Sequence, residues 1–121
     1  MQFNKDINST KGELFLKVRE FMLENIDEVY EDCKDHITSY KTTLGMYCYL
    51  KVKNDYLHIG WGRGAKFDDS YGVLFGNSSV IKGQKIQRFD TTTKKILKDF
   101  INQTTIILIE HQELKKLRKS F

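Results

Sequence analysis

Residues 46 to 61 read Met-Tyr-Cys-Tyr-Leu-Lys-Val-Lys-Asn-Asp-Tyr-Leu-His-Ile-Gly-Trp, and this stretch decides the fold class. Apolar and polar side chains alternate through its first half, which is the period of a strand with one buried face. Asn54-Asp55 is a turn signal, and Tyr56 to Trp61 returns as a second strand. The sequence therefore predicts an antiparallel hairpin. Its first strand is expected to bury Met46, Cys48, Leu50 and Val52 and to expose Tyr47, Tyr49, Lys51 and Lys53.

Further strands are predicted on both sides of this hairpin. Residues 37–43 are rich in threonine and aromatic side chains and precede Leu44-Gly45, so they are expected to form the first strand of the sheet. A short strand is predicted at 73–75 and another at 85–89. The sheet is therefore expected to be antiparallel and to contain about five strands.

Helices are predicted before and after the sheet. Residues 14, 15, 18, 21 and 22 are apolar at helical spacing, and Thr10 with Glu13 has the pattern of a capping box. The pattern could continue to Tyr30 after a break near Asn25. A second helical stripe follows Asp90. Its β-branched run 104–109 could be a break or a strand, which leaves open whether one helix or two form. The prediction is an α+β fold, a single domain over 1–121, with the helices packed on one face of the sheet.

The composition fits one folded domain. The chain has 121 residues, a net charge of +4, 40% hydrophobic residues and no proline, which excludes a disordered tail and a proline-rich linker. The N-terminus lacks the apolar core of a signal peptide, and no apolar run approaches the ~20 residues that span a bilayer. A cytoplasmic protein with no membrane partner is expected, with Cys33 and Cys48 as free thiols. Nothing in the sequence indicates the oligomeric state.

The charges are unevenly distributed. Residues 20 to 35 contain seven carboxylates and one lysine, for a net charge of −6, so the rest of the chain carries +10. Clustered carboxylates suit hard cations, and weak Fe(II) binding is one interpretation. The other is a solvated helix face neutralised by nearby lysine or arginine. The candidate metal ligands are Glu24, Asp27, Glu28, Glu31, Asp32, Asp35 and His36.

Six of the eight glycines lie between residues 60 and 83, in a stretch predicted to be rich in loops. The segment Gly60-Trp-Gly-Arg-Gly64 matches neither a P-loop nor a full dinucleotide-binding fingerprint. The glycines could simply permit tight turns. The alternative is an anion or ligand site that uses Trp61, Arg63, Lys66 and Arg88.

Other functional classes have less support. Tyr47, Tyr49 and the basic excess could contact nucleic acid, but the basic residues are scattered, and only 115–119 is dense. That segment is typical of a helix C-terminus, so a nucleic-acid partner is not expected. No nucleophile motif or paired catalytic carboxylates stand out, so a non-enzymatic protein is expected.

Three blocks of sequence, at 46–64, 65–76 and 83–89, together resemble the YdhG-like family of small bacterial domains of unknown function. The resemblance spans about residues 12–112 and implies an α+β domain in a bacterial cytoplasm. Some relatives are classed with frataxin-like iron chaperones, which implies Fe(II), or a protein that accepts iron, as a partner. This chain departs from the family at Ser39 and Ser70, where prolines are usual, and at Tyr56, where a histidine is common. The competing hypothesis is a ligand- or protein-binding module that uses the glycine-rich loop and the exposed sheet face.

Overall fold

The computed structural model describes residues 1–119. In this part of the chain an antiparallel sheet of six strands has the order β1-β2-β3-β4-β6-β5. Its strands are β1 (Tyr30–Cys33), β2 (Thr38–Thr42), β3 (Gly45–Lys53), β4 (Tyr56–Trp61), β5 (Leu74–Phe75) and β6 (Lys82–Ile86). The helices are α1 (Gln2–Ile7), α2 (Gly12–Asn25) and α3 (Thr91–Lys119), with a 3-10 turn at Gly64–Lys66. The predicted α+β class is confirmed.

The hairpin of β3 and β4 forms the centre of the sheet, as predicted. Leu50 pairs with Ile59 and Cys48 pairs with Trp61, and all four side chains are fully buried. Met22 of α2 packs at Cys48, with 3.8 Å between the sulfur atoms. We call this side of the sheet the covered face, because α2 and α3 pack against it.

The covered face and the helices share one hydrophobic core. From α2 it takes Phe15, Val18 and Met22, all with no exposed surface. The Trp61 ring meets Phe100 of α3 edge to face, with 5.6 Å between ring centroids, and Phe67 stacks on Phe100 at 4.8 Å. Aromatic pairs at these separations add to the stabilisation that burial provides. Trp61 is therefore part of the core.

Tyr47 does not lie where the alternation places it. The register between β2 and β3 shifts between Tyr40 and Lys41, so β3 carries one extra residue at this point. Such a bulge turns a side chain to the other face. Tyr47 is only 4% exposed, and its hydroxyl lies 2.7 Å from Oγ1 of Thr105 in α3. The prediction that Tyr47 is exposed is wrong.

The helix α2 ends at Asn25, although the apolar pattern could have continued to Tyr30. Ile26 is extended and buried, and Tyr30–Cys33 pairs with β2 instead of remaining helical. A continued helix would have placed like charges four residues apart along one face, which is unfavourable. The sheet consequently begins one strand earlier than predicted.

The N-terminal cap is also different from the prediction. α2 begins at Gly12 after Lys11, no side chain caps it, and the preceding turn is held by Ser9, whose hydroxyl accepts from the backbone N–H of Lys11 at 3.2 Å. A β-carbon on Gly12 would overlap the carbonyl oxygen of Ile7, so glycine is what allows α1 to pack this closely. The helix α1 itself was not predicted.

The last two elements along the chain are the strand β6 and the helix α3, which packs on the covered face. β6 ends at Ile86, so the prediction of a strand at 85–89 is shifted by three residues. Asp90 caps α3, accepting from the backbone N–H of Thr93 at 2.8 Å. α3 is one helix through the β-branched run, and within it the hydroxyls of Thr104 and Thr105 donate to the carbonyls of Phe100 and Ile101, one turn earlier. No helix within residues 1–119 has both the length and the apolar character needed to cross a membrane.

Candidate binding face

The side of the sheet opposite the covered face, which we call the open face, carries an ordered set of rings, glycines and lysines. Strand register places Tyr49 beside Gly60, Gly60 beside Gly83, and Gly83 beside Phe75. These four residues form one row across β3, β4, β6 and β5, which we call the ring row. Its two outer members are aromatic and its two inner members have no side chain.

The glycines of the ring row make room for the aromatic rings. A β-carbon on Gly60 would fall on ring atoms of Tyr49, and one on Gly83 would come within 2.7 Å of Phe75 Cζ and of His58. The rings therefore lie across the neighbouring strands instead of standing up from them. Phe75 remains 41% exposed and Tyr49 is half-buried, so both offer ring surface to solvent.

The neighbouring row on the same face is basic at both sides. Lys51 pairs with His58, and His58 pairs with Lys85, so we call this the lysine row. Lys53 lies one pair further along β3 on the same face. None of these three lysines lies within 4.0 Å of a carboxylate oxygen in the described part of the chain. Lys85 Nζ instead sits 4.9 Å from the ring centroid of Tyr56 and 5.8 Å from that of Phe75.

His58 fills the centre of the open face as a neutral ring. It is 7% exposed, and its centroid lies 5.7 Å from the centroids of both Tyr49 and Phe75. Burial first, and then the charges of Lys53 and Lys51, together lower the pKa of its imidazole to about 4. Its Nδ1 is buried without a hydrogen-bond partner, while Nε2 lies 3.5 Å from the Tyr49 hydroxyl. At neutral pH the charge of this face therefore comes from lysine.

The carboxylate at the β1 edge of this face is already engaged. Asp32 accepts from Lys41 Nζ at 3.0 Å, and Lys34 Nζ lies 3.8 Å away. These contacts, the Lys41 hydrogen bond foremost, hold the pKa of Asp32 below its usual value. The open face therefore presents an excess of positive charge around its rings.

The four residues predicted as a ligand site are not brought together. Trp61 has no exposed surface, and its indole N–H donates to Oε1 of Gln84 at 2.9 Å. Arg63 follows the end of β4 that pairs with Lys82, whereas Arg88 follows β6 at the opposite end of the strand pair. Arg63 and the exposed Lys66 instead lie near His111, whose pKa is lowered by burial first and then by neighbouring cations.

Glu31, one of the predicted metal ligands, is held by the fold. Its carboxylate accepts two hydrogen bonds from the Arg19 guanidinium, at 2.8 and 3.0 Å, and one from the Tyr40 hydroxyl at 2.8 Å. This arrangement ties α2 to β1 and β2. Burial of the Tyr40 ring, and then its hydrogen bond to Glu31, raise the pKa of the phenol. Glu31 therefore points to the covered side, away from Asp32.

The remaining predicted metal ligands are spread over separate surfaces. Glu24 lines a cleft with Phe21 and Phe89, while Asp27 and Glu28 line a different cleft of about 550 Å³ beside α3. Asp35 and His36 are exposed in the turn between β1 and β2. Within residues 1–119, no group of three acidic, histidine or cysteine side chains is placed to hold a metal ion. Iron binding stays a prediction from the resemblance.

The residues that make up the open face were mostly absent from the sequence prediction. The alternation did place Tyr49 with Lys51 and Lys53, but it gave no role to His58, Gly60, Phe75, Gly83 or Lys85. The signal that could have found them is pairing: a glycine beside an outward tyrosine on two adjoining strands predicts a ring lying over the sheet.

Comparisons with protein families, with curated proteins and with solved structures found no match to this chain. The resemblance to the YdhG-like family therefore stays a prediction.

Proposed function

We propose that the protein is a non-enzymatic binding module that holds an anionic partner on the open face. The observation that carries this proposal is the juxtaposition of the ring row and the lysine row on one uncovered surface. This is the sheet-face alternative to iron delivery, with the open face taking the place of the glycine-rich loop.

Electrostatics supports an anionic partner. Lys51, Lys53 and Lys85 present charge of one sign that no carboxylate within 4.0 Å neutralises in the described residues. A surface of this kind raises the local concentration of anions and steers their approach. The exposed ring surface adjoining it provides contact area that is already ordered, so less entropy is lost on binding.

The properties of His58 support binding rather than catalysis. A general acid or base works best when its pKa lies near the operating pH, but the pKa of His58 is lowered to about 4. Its Nδ1 is covered, and its ring serves as packing between Tyr49 and Phe75.

Chromatography on immobilised heparin, a polyanion without bases, tests the proposal. The double variant Lys51→Ala/Lys85→Ala is expected to elute at clearly lower salt than the wild type. The matched control is Lys115→Ala/Lys119→Ala, which removes the same charge from the exposed basic end of α3 and is expected to elute close to the wild type.

The opposite order of elution contradicts the proposal. If the α3 variant loses affinity for heparin and the sheet variant does not, the anion-binding surface is the helix end. If neither the wild type nor the variants are retained, the module does not bind anions. Circular dichroism of each variant confirms that the fold is intact.

A further inference from the structure

We propose that the partner on the open face is a single-stranded nucleic acid whose bases stack on Tyr49 and Phe75 and whose phosphates lie along the lysine row. This inference rests on the proposed function and names the chemistry of its partner. It depends on two features of the face, the orientation of the rings and the distance between the two rows.

The rings are oriented for stacking. Because Gly60 and Gly83 leave room beneath them, Tyr49 and Phe75 lie over the sheet and lean toward each other from the two ends of the ring row. Each ring lies over the adjoining inner strand, and both ring centroids are 5.7 Å from that of His58, so the two rings are no more than twice that distance apart. Neighbouring bases of one strand can reach both rings, and stacking on them needs no particular sequence, since every base has a flat face.

The lysines are placed for the backbone of the same strand. Adjacent rows on one face are two residues apart along each strand, which is roughly 7 Å. Lys51 and Lys85 therefore flank the ring row on one side, with Lys53 beyond them. A nucleic-acid strand has the matching arrangement, because its phosphates run beside its bases.

Other anions fit this face less well. A duplex presents its phosphates but hides the faces of its bases, so the exposed rings would gain nothing from it. An acidic peptide could use the lysines but has no flat π-face to match two rings held against the sheet. The combination of stacking surface and lysines that form no ion pair within residues 1–119 is the one that single-strand-binding proteins use.

Fluorescence anisotropy with a fluorescein-labelled octamer of deoxythymidine tests the inference on the full chain. The variants Tyr49→Leu and Phe75→Leu are each expected to weaken octamer binding by at least about fivefold, the effect of losing roughly 1 kcal/mol of stacking. Tyr49→Phe, which keeps the ring, is expected to bind like the wild type. Retention on heparin is expected to be unchanged in all three variants, because heparin has no bases.

The control ligands separate this inference from the proposed function. A mixed-sequence duplex and poly-glutamate, at equal charge, are expected to compete poorly with the octamer. If either competitor displaces the octamer as well as unlabelled octamer does, the nucleic-acid inference is overturned and the anion-binding module stands. The same conclusion follows if the protein is retained on heparin but does not bind the octamer. If heparin and the octamer both fail to bind, both proposals are wrong.

Discussion

The covered face and the open face of the sheet are built from alternate residues of the same strands, yet they differ in how they use glycine and aromatic residues. On the covered face, Leu50, Ile59 and Trp61 fill a closed core without exposed surface. On the open face, Gly60 and Gly83 stand in the middle strands, and the rings of their neighbours occupy the space above them. The side chains of the covered face stabilise the fold by forming the core. The open face, in contrast, keeps ring surface and lysine charge in solvent.

The largest expected effect lies on the covered face. Trp61→Ala removes the ring that Phe67 and Phe100 pack against and leaves Gln84 without its donor. Substitutions of this kind cost about 3–5 kcal/mol. Urea unfolding followed by circular dichroism measures the loss, with Trp61→Phe as the milder control. A loss below about 1 kcal/mol would mean that Trp61 is not a core residue.

The next effect depends on pH and lies at the centre of the open face. The pKa of His58 is lowered from 6.5 to about 4, so the unfolded chain binds a proton at this imidazole before the folded chain does. Stability is therefore expected to fall as the pH drops from about 6.5 toward 4, by roughly 3 kcal/mol at about 1.4 kcal/mol per unit.

Urea unfolding at pH 7 and at pH 4.5 measures this dependence. The variant His58→Phe keeps an aromatic ring but cannot be protonated, so it is expected to lose less stability than the wild type between the two values. Equal losses in both proteins would show that His58 titrates normally in the folded state.

A smaller effect is expected from filling the space under a ring. Gly60→Ala places a methyl group where the Tyr49 ring lies, so the ring has to move and overpacking is expected to cost about 1–3 kcal/mol. The same variant is expected to weaken binding of the deoxythymidine octamer. A variant that is as stable as the wild type and binds equally well would mean that the ring orientation has no role.

The smallest effect on stability is expected from the rings themselves. Phe75 is 41% exposed and lies in an edge strand of two residues, so Phe75→Leu is expected to change the free energy of unfolding by less than about 1 kcal/mol. Octamer binding is nevertheless expected to weaken. If instead stability falls by several kcal/mol, Phe75 belongs to the core and the contrast between the two faces fails.

Much of the fold could be predicted because local patterns agree with it. The alternation in β3 and the turn at Asn54-Asp55 define the hairpin, and Asp90 marks the start of α3. Tyr47 could not be predicted, because a bulge depends on the pairing between β2 and β3 rather than on the period of one strand. β1 was missed because its residues are mostly polar and gain their stability from Arg19 and β2.

The candidate site was harder to predict than the fold, because it depends on contacts between distant strands. The lysines are scattered along the sequence, but strand pairing brings Lys51 and Lys85 to either side of His58. The acidic segment looked continuous in sequence, but a turn and the two sides of β1 separate Glu24, Glu31 and Asp32.

The most direct test of binding on the open face is a titration of ¹⁵N-labelled protein with the deoxythymidine octamer, followed by amide chemical shifts. The amides of Gly60 and Gly83 lie under the rings, so they are expected to shift most, while Gly12, beneath α1, is expected to stay unchanged. Shifts confined to residues 63–66 or 115–119, with Gly60 and Gly83 unaffected, would contradict binding on the open face.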